Sequence, residues 1–129
     1  MSTGATSAPA IRFLSVDFDC ADPGELARFY AEALGLPVIY SSEDFVLLGR
    51  EGSPGLGFLW IADYQPPTWP DPSRGKQAHI ELGVDDLDAA QARMLALGAA
   101  EPSFQPQPDR WRVLLDPAGH PFCLSTHGT

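Results

Sequence analysis

The chain has 129 residues, of which 44 % are hydrophobic, and 17 acidic residues against 8 basic ones give a formal net charge of −9. That length holds one compact domain, or two very small modules sharing a core. The charge repels phosphate backbones and anionic bilayers, so neither nucleic acid nor a membrane is an expected partner. No apolar run approaches the roughly 18 residues of a membrane span.

The opening stretch MSTGATSAPA has no basic region leading into an apolar one. It reads as a flexible tail over residues 1–10, not as a signal peptide. A strand-like run, IRFLSVDFD, follows. Residues 21–37, ADPGELARFYAEALGLP, then carry helix signals. Asp22 is an N-cap, Pro23 takes the first helical position, and Glu25 completes a capping box. Leu26, Phe29, Tyr30, Ala33 and Leu34 form one apolar face, and Gly35 stops the helix. A weak strand is expected around Val38–Tyr40. Two further strands are expected at FVLLG and GLGFLWIA.

Residues 63–77, DYQPPTWPDPSRGKQ, are too rich in proline for a helix or central strand. They form a linker or an ordered loop. Trp69 within it is either a packing staple or a lid over a pocket. The run AHIELGV is the next strand, and DDLDAAQARMLALGA, residues 85–99, the next helix. Asp86 is its cap, Leu87, Ala90, Met94, Leu95 and Leu97 are its apolar positions, and Gly98 is its stop. The strands RWRVLLD and HPFCLSTH close the chain. The turn Asp116–Pro117–Ala118–Gly119 precedes the last of them.

These elements repeat. His79 follows Ser15 by 64 residues, and Asp86 follows Asp22, Gly119 follows Gly55 and Phe122 follows Phe58 at the same spacing. One offset at both ends of the pattern marks two copies of one unit. The expected architecture is α+β: two tandem βαβββ modules in a single domain over residues 11–127. Module one covers 11–62, the linker 63–77 and module two 78–127. By the repeat, the weak strand near Val38 has a counterpart near Ser103–Gln105. Cys20 and Cys123 are too few and too far apart for a disulfide framework, so free thiols and a cytoplasmic location are expected.

The segments SVDFDCADPGELARFYAEALGL, HIELGVDDLDAAQARMLALGA and DPAGHPFCL, set in this twofold repeat, resemble the vicinal oxygen chelate superfamily. That superfamily includes glyoxalase I, extradiol dioxygenases, fosfomycin-resistance transferases and bleomycin-binding proteins. The resemblance implies curled sheets around a cup-shaped site. It also implies that metal-using relatives draw ligands from the positions of Ser15, Leu59, His79 and Cys123. Cys123 stands where such relatives carry a glutamate. His79 matches the pattern, but Ser15 is a weak ligand and Leu59 is none, so no resident metal or other cofactor is expected here.

If His79 faces the cup, strand alternation sends Glu81 and Gly83 with it and turns Ile80, Leu82 and Val84 to the helices. The matching strand sends Ser15 and Asp17 inward and Val16 and Phe18 outward. On the last strand Cys123 and Ser125 point in. In module one Gly57, Leu59 and Ile61 line the cup, with Phe58 and Trp60 behind.

His79 and Glu81 are therefore the candidate catalytic pair. Ser15, Asp17, Leu59, Trp69, Cys123 and Ser125 are candidate ligand contacts. A half-polar cup of this kind suits a small organic molecule, and the carboxylates favour a cationic group on it. The leading expectation is a ligand-binding protein with an incomplete metal site, monomeric or a homodimer. The alternative is a lyase, isomerase or dioxygenase, working with a divalent metal through His79 or without one, with Glu81 as base. A third possibility is a cup plugged by Leu59, Ile61 and Trp60.

Overall fold

The computed structural model describes residues 8–10 and 12–126. Most of the expected tail, and both ends of the expected domain 11–127, lie outside the described residues. The elements in order are β1 (Ser15–Cys20), α1 (Pro23–Leu34), β2 (Val38–Ser41), β3 (Phe45–Leu48), β4 (Gly55–Trp60), β5 (Ile80–Gly83), α2 (Leu87–Leu97), β6 (Trp111–Leu115) and β7 (Pro121–Ser125).

Both helices begin and end where local chemistry directs. The Asp22 carboxylate accepts a hydrogen bond from the Glu25 backbone N–H at 3.1 Å, and Pro23 opens α1. Gly35 closes α1 at φ 68°, a left-handed geometry that glycine adopts without a Cβ penalty. Asp86 caps α2 through the Ala89 N–H at 3.1 Å. Leu26, Phe29 and Tyr30 of α1 are buried. Helix α2 is more loosely held: Met94 is its one fully buried residue, and Leu95, expected on the apolar face, is exposed.

Two sheets form. One has the order β1-β4-β3-β2, the other β5-β7-β6. In each, the opening strand runs parallel to the last strand of its module. The counterpart of β2 expected near Ser103–Gln105 is not a strand. Pro102, Pro106 and Pro108 flank that segment and cannot donate to a ladder. The side chain of Gln105 pairs with the edge of β6 instead. Its Oε1 accepts from Val113 N–H at 2.9 Å, and its Nε2 donates to the Val113 carbonyl at 2.8 Å. One side-chain amide thus does the work of a peptide group.

The core is common to both modules. Tyr30 stacks on Phe58 at 5.5 Å between ring centroids, and Phe29 and Tyr30 both contact Phe122 of the other module. The Tyr30 hydroxyl donates to Asp116 Oδ2 at 2.7 Å. The other Asp116 oxygen accepts from the backbone N–H groups of Ala118 and His120, which fixes the turn before β7. Burial pushes the Asp116 carboxyl above the usual carboxylate range, although these hydrogen bonds pull the other way. Among the described residues no helix is long and apolar enough to cross a membrane.

Candidate functional site

Ile80, Leu82 and Val84 pack against the core, which turns His79 and Glu81 to the open face of the second sheet. His79 Nε2 and Glu81 Oε2 lie 2.6 Å apart. Across the ladder, Cys123 pairs in register with Glu81, and Ser125 with Gly83. The ligand atoms of His79, Glu81 and Cys123 all lie within 4.8 Å of one another.

These side chains line one end of a cavity of about 400 Å3. Trp111 and Val113 of β6 stand beside Ser125 and Cys123 and supply an apolar wall. Pro106, Pro121 and Trp69 complete that wall, and Lys76 adds a cation. Trp69 also packs on Phe104, with ring centroids 5.7 Å apart, so the linker tryptophan both staples its loop and faces the cavity.

Cys123 is 7 % exposed. Its thiol is pushed up to about 11, first by burial and then by the neighbouring Glu81 carboxylate, with Lys76 opposing. It is a neutral thiol near pH 7 and a poor nucleophile. It is chemically a small, soft wall residue that can donate a weak hydrogen bond.

The other candidate positions lie elsewhere. Ser15, Asp17 and Leu59 belong to the first sheet and do not line the cavity that holds His79. Ser15 Oγ donates to Asp17 Oδ1 at 2.8 Å. Asp17 lines a different cleft, beside β1. Leu59 is 38 % exposed and Trp60 47 %, so they do not plug a cup, and Trp60 is not packed behind one. The reason is tertiary: the shared core joins the modules through α1 and the strand layers, and the two open faces do not close on each other within one chain. Val16, expected to face the helices, also borders the cleft. His120 reaches the Asp19 carbonyl at 2.7 Å.

The four positions at which metal-using relatives carry ligands do not fit a metal here. Leu59 has no lone pair to offer, and Ser15 offers only a neutral hydroxyl, a weak metal ligand. Module two alone presents a nitrogen, an oxygen and a sulfur donor together, a set composed differently from the expected one. Trp111, Val113, Pro106 and Lys76 join the site without having been expected there. For Trp111 and Val113 the signal is alternation on β6 opposite β7, while nothing local in the sequence marks Lys76.

Comparison with known proteins fits this geometry. The chain superposes on a possible glyoxalase from Bacillus cereus with a TM-score of 0.65 at 14 % identity, covering 90 % of this chain and 99 % of that one. A glyoxalase/bleomycin resistance protein/dioxygenase family enzyme from Burkholderia phytofirmans PsJN gives 0.62 at 21 % identity, with 85 % and 94 % covered. A fosfomycin resistance protein from Mesorhizobium loti gives 0.63 at 18 %, with 95 % and 94 % covered. At such identities the likeness is one of fold. Comparison with curated proteins gave no match. The family model of the glyoxalase-like domain matches residues 15–125, both repeats from the first strand to the last, and the chain belongs to that family.

Proposed function

We propose that the cavity over the second sheet binds a small organic molecule with a flat apolar body and a cationic or hydrogen-bond-donating group. One observation carries this: two tryptophans, Trp69 and Trp111, and the pair His79–Glu81 border the same space of about 400 Å3. Aromatic walls supply area at low entropic cost and favour cations, and Glu81 supplies the complementary charge. Cys123 and Ser125 contribute polarity at the floor. On this reading the protein binds and sequesters its ligand.

The test is titration with a panel of aromatic and aliphatic amines, followed by tryptophan fluorescence, with the ligand recovered afterwards. Saturable quenching, lost in Glu81→Gln, and return of the ligand unchanged support the proposal. Conversion of the ligand, abolished by His79→Ala in a folded protein, replaces sequestration with catalysis. Absence of any saturable binding overturns the reading.

A second reading is favoured by the grouping of His79, Glu81 and Cys123. A nitrogen, a carboxylate and a thiol are zinc-type donors, provided the thiol loses its proton. Melting of metal-stripped protein against zinc, nickel, manganese and ferrous iron separates the two readings. A saturable rise that His79→Ala removes establishes the metal, since a ligand of the native state raises its melting point.

Homodimerisation is part of the proposal. Phe13, Leu14, Tyr40 and Leu59 are exposed apolar groups on or beside the first sheet, which supports burial against a second copy. Such a copy would bring Ser15, Asp17 and Leu59 to its partner's cavity. Light scattering on the eluting peak reads the mass. Two free thiols support a cytoplasmic location.

A further inference from the structure

The cavity over the second sheet has a floor of strands and a rim of loops. Trp69 and Lys76 reach it from the loop 63–77, and Pro106 from the segment between α2 and β6. The two rim segments meet where the Trp69 ring packs on Phe104. Phe104 is 52 % exposed, so that contact is lightly buried.

The two segments are held differently. The Phe104 side is fixed to its own sheet. Gln105 bonds both backbone groups of Val113, and Arg112 Nε donates to the Pro108 carbonyl at 2.6 Å. On the Trp69 side the hydrogen bonds turn inward. Thr68 N–H donates to the Arg74 carbonyl at 2.8 Å, and the Asp71 carboxylate accepts from Ser73 N–H at 2.9 Å. Among the described residues no hydrogen bond or ion pair joins residues 66–74 to another part of the chain. Their mooring is at the near end. The Tyr64 hydroxyl donates to the Ala118 carbonyl at 2.8 Å, and Pro66 sits so close to Gly119 that a Cβ there would come within 2.7 Å of it. A stiff piece moored at one end and held at the other by an exposed ring contact opens at low cost.

We propose that residues 66–74 are a hinged flap over this cavity, pivoting at Tyr64 and Pro66 and latched by the Trp69–Phe104 contact, so that bulky molecules reach His79 and Cys123 only when the latch parts. An aromatic pair at this separation shifts an open–closed equilibrium by about two- to tenfold. The latch therefore sets how often the cavity admits a large guest. Access is a property of the walls, and is the same whichever ligand the cavity takes.

The experiment needs no ligand, because Cys123 lies in the cavity and reports entry. The full chain is treated at one fixed pH with N-methylmaleimide or with fluorescein-5-maleimide, which share one reactive group and differ in bulk. Mass spectrometry of the Cys123 peptide gives each rate. The Cys20 peptide, fully buried in the core, reports global unfolding. Phe104→Ala should speed the bulky reagent at Cys123 by about two- to tenfold and leave the small one within twofold. Phe104→Tyr keeps the ring pair and should return the bulky reagent to its original rate. An unchanged bulky-reagent rate in Phe104→Ala overturns the proposal. So does equal acceleration of both reagents, a parallel rise at Cys20, or a Phe104→Tyr rate equal to that of Phe104→Ala.

Discussion

Glu81 stands directly opposite Cys123 on the parallel β5–β7 ladder. In module one the equivalent ladder sets Asp17 opposite Gly57, and Leu59 opposite Asp19. The spacing of 64 residues would carry the Asp17–Gly57 pairing to Glu81 and Pro121, so the second ladder is displaced by two residues. A displacement of two leaves every side chain on its own face. Both modules keep the same core, but only the second sets a carboxylate beside a thiol.

Burial first, and that pairing second, make Cys123 slow to react. Alkylation by iodoacetamide should accelerate as pH climbs toward the thiol value of about 11. Glu81→Gln removes a negative neighbour and lowers that value. At any fixed pH below it the thiolate fraction then rises, and a severalfold faster alkylation is expected. Mass spectrometry of the Cys123 peptide reads the rate. An unchanged rate in Glu81→Gln would contradict the assigned cause.

Tyr30→Phe leaves a buried Asp116 oxygen without its donor. A loss of about 1–3 kcal/mol is expected from urea unfolding. Asp116 has its own pH signature. Its folded value is raised by burial, so the folded state holds the proton more tightly than the unfolded chain. Its contribution to stability is fully present below the unfolded carboxyl value, about 3.9, and is lost as pH rises through the folded value. The stability difference between the protein and Asp116→Asn should vary with that slope. A difference flat across mildly acidic pH would refute it.

Gly57 has no room for a methyl group. A Cβ there would overlap the Asp17 carboxylate and come within 2.7 Å of the Phe45 ring. Gly57→Ala should cost about 1–3 kcal/mol by overpacking. Thermal unfolding checks it, and Phe45→Leu in the same chain should restore part of the loss.

Gln105→Leu removes both bonds to the Val113 backbone. The edge of β6 is then left with an orphaned donor and acceptor, for about 1–3 kcal/mol. Gln105→Glu keeps the acceptor and loses the donor, so it should fall between the two. Hydrogen exchange at the Val113 amide should quicken in Gln105→Leu and much less in Gln105→Glu.

The sequence carries the local decisions openly. Asp22, Asp86, Gly35 and Gly98 act on groups within four residues of themselves, and each helix ends where they say. Alternation through His79, Ile80, Glu81 and Leu82 assigns the faces of β5 for the same reason. A meeting of Asp17 and Leu59 with His79 is a different kind of inference. It needs the relative placement of two modules, which depends on contacts such as Tyr30–Asp116, 86 residues apart. Gln105 is hidden for a subtler reason: strand pairing is read from backbone pattern, and here a side chain substitutes for the backbone.

The loop 63–77 ties itself together. Thr68 accepts from the Arg74 N–H at 3.0 Å and bonds the Asp71 carbonyl at 2.9 Å, while Arg74 Nε holds the Pro66 carbonyl at 2.6 Å. It therefore moves as one piece, with Trp69 on one side of it and Arg74 on the other. A party wall of this kind cannot be shifted for one room alone: space added on the Trp69 side is taken from the Arg74 side. An occupant that pushes Trp69 outward therefore narrows the cleft beside β1.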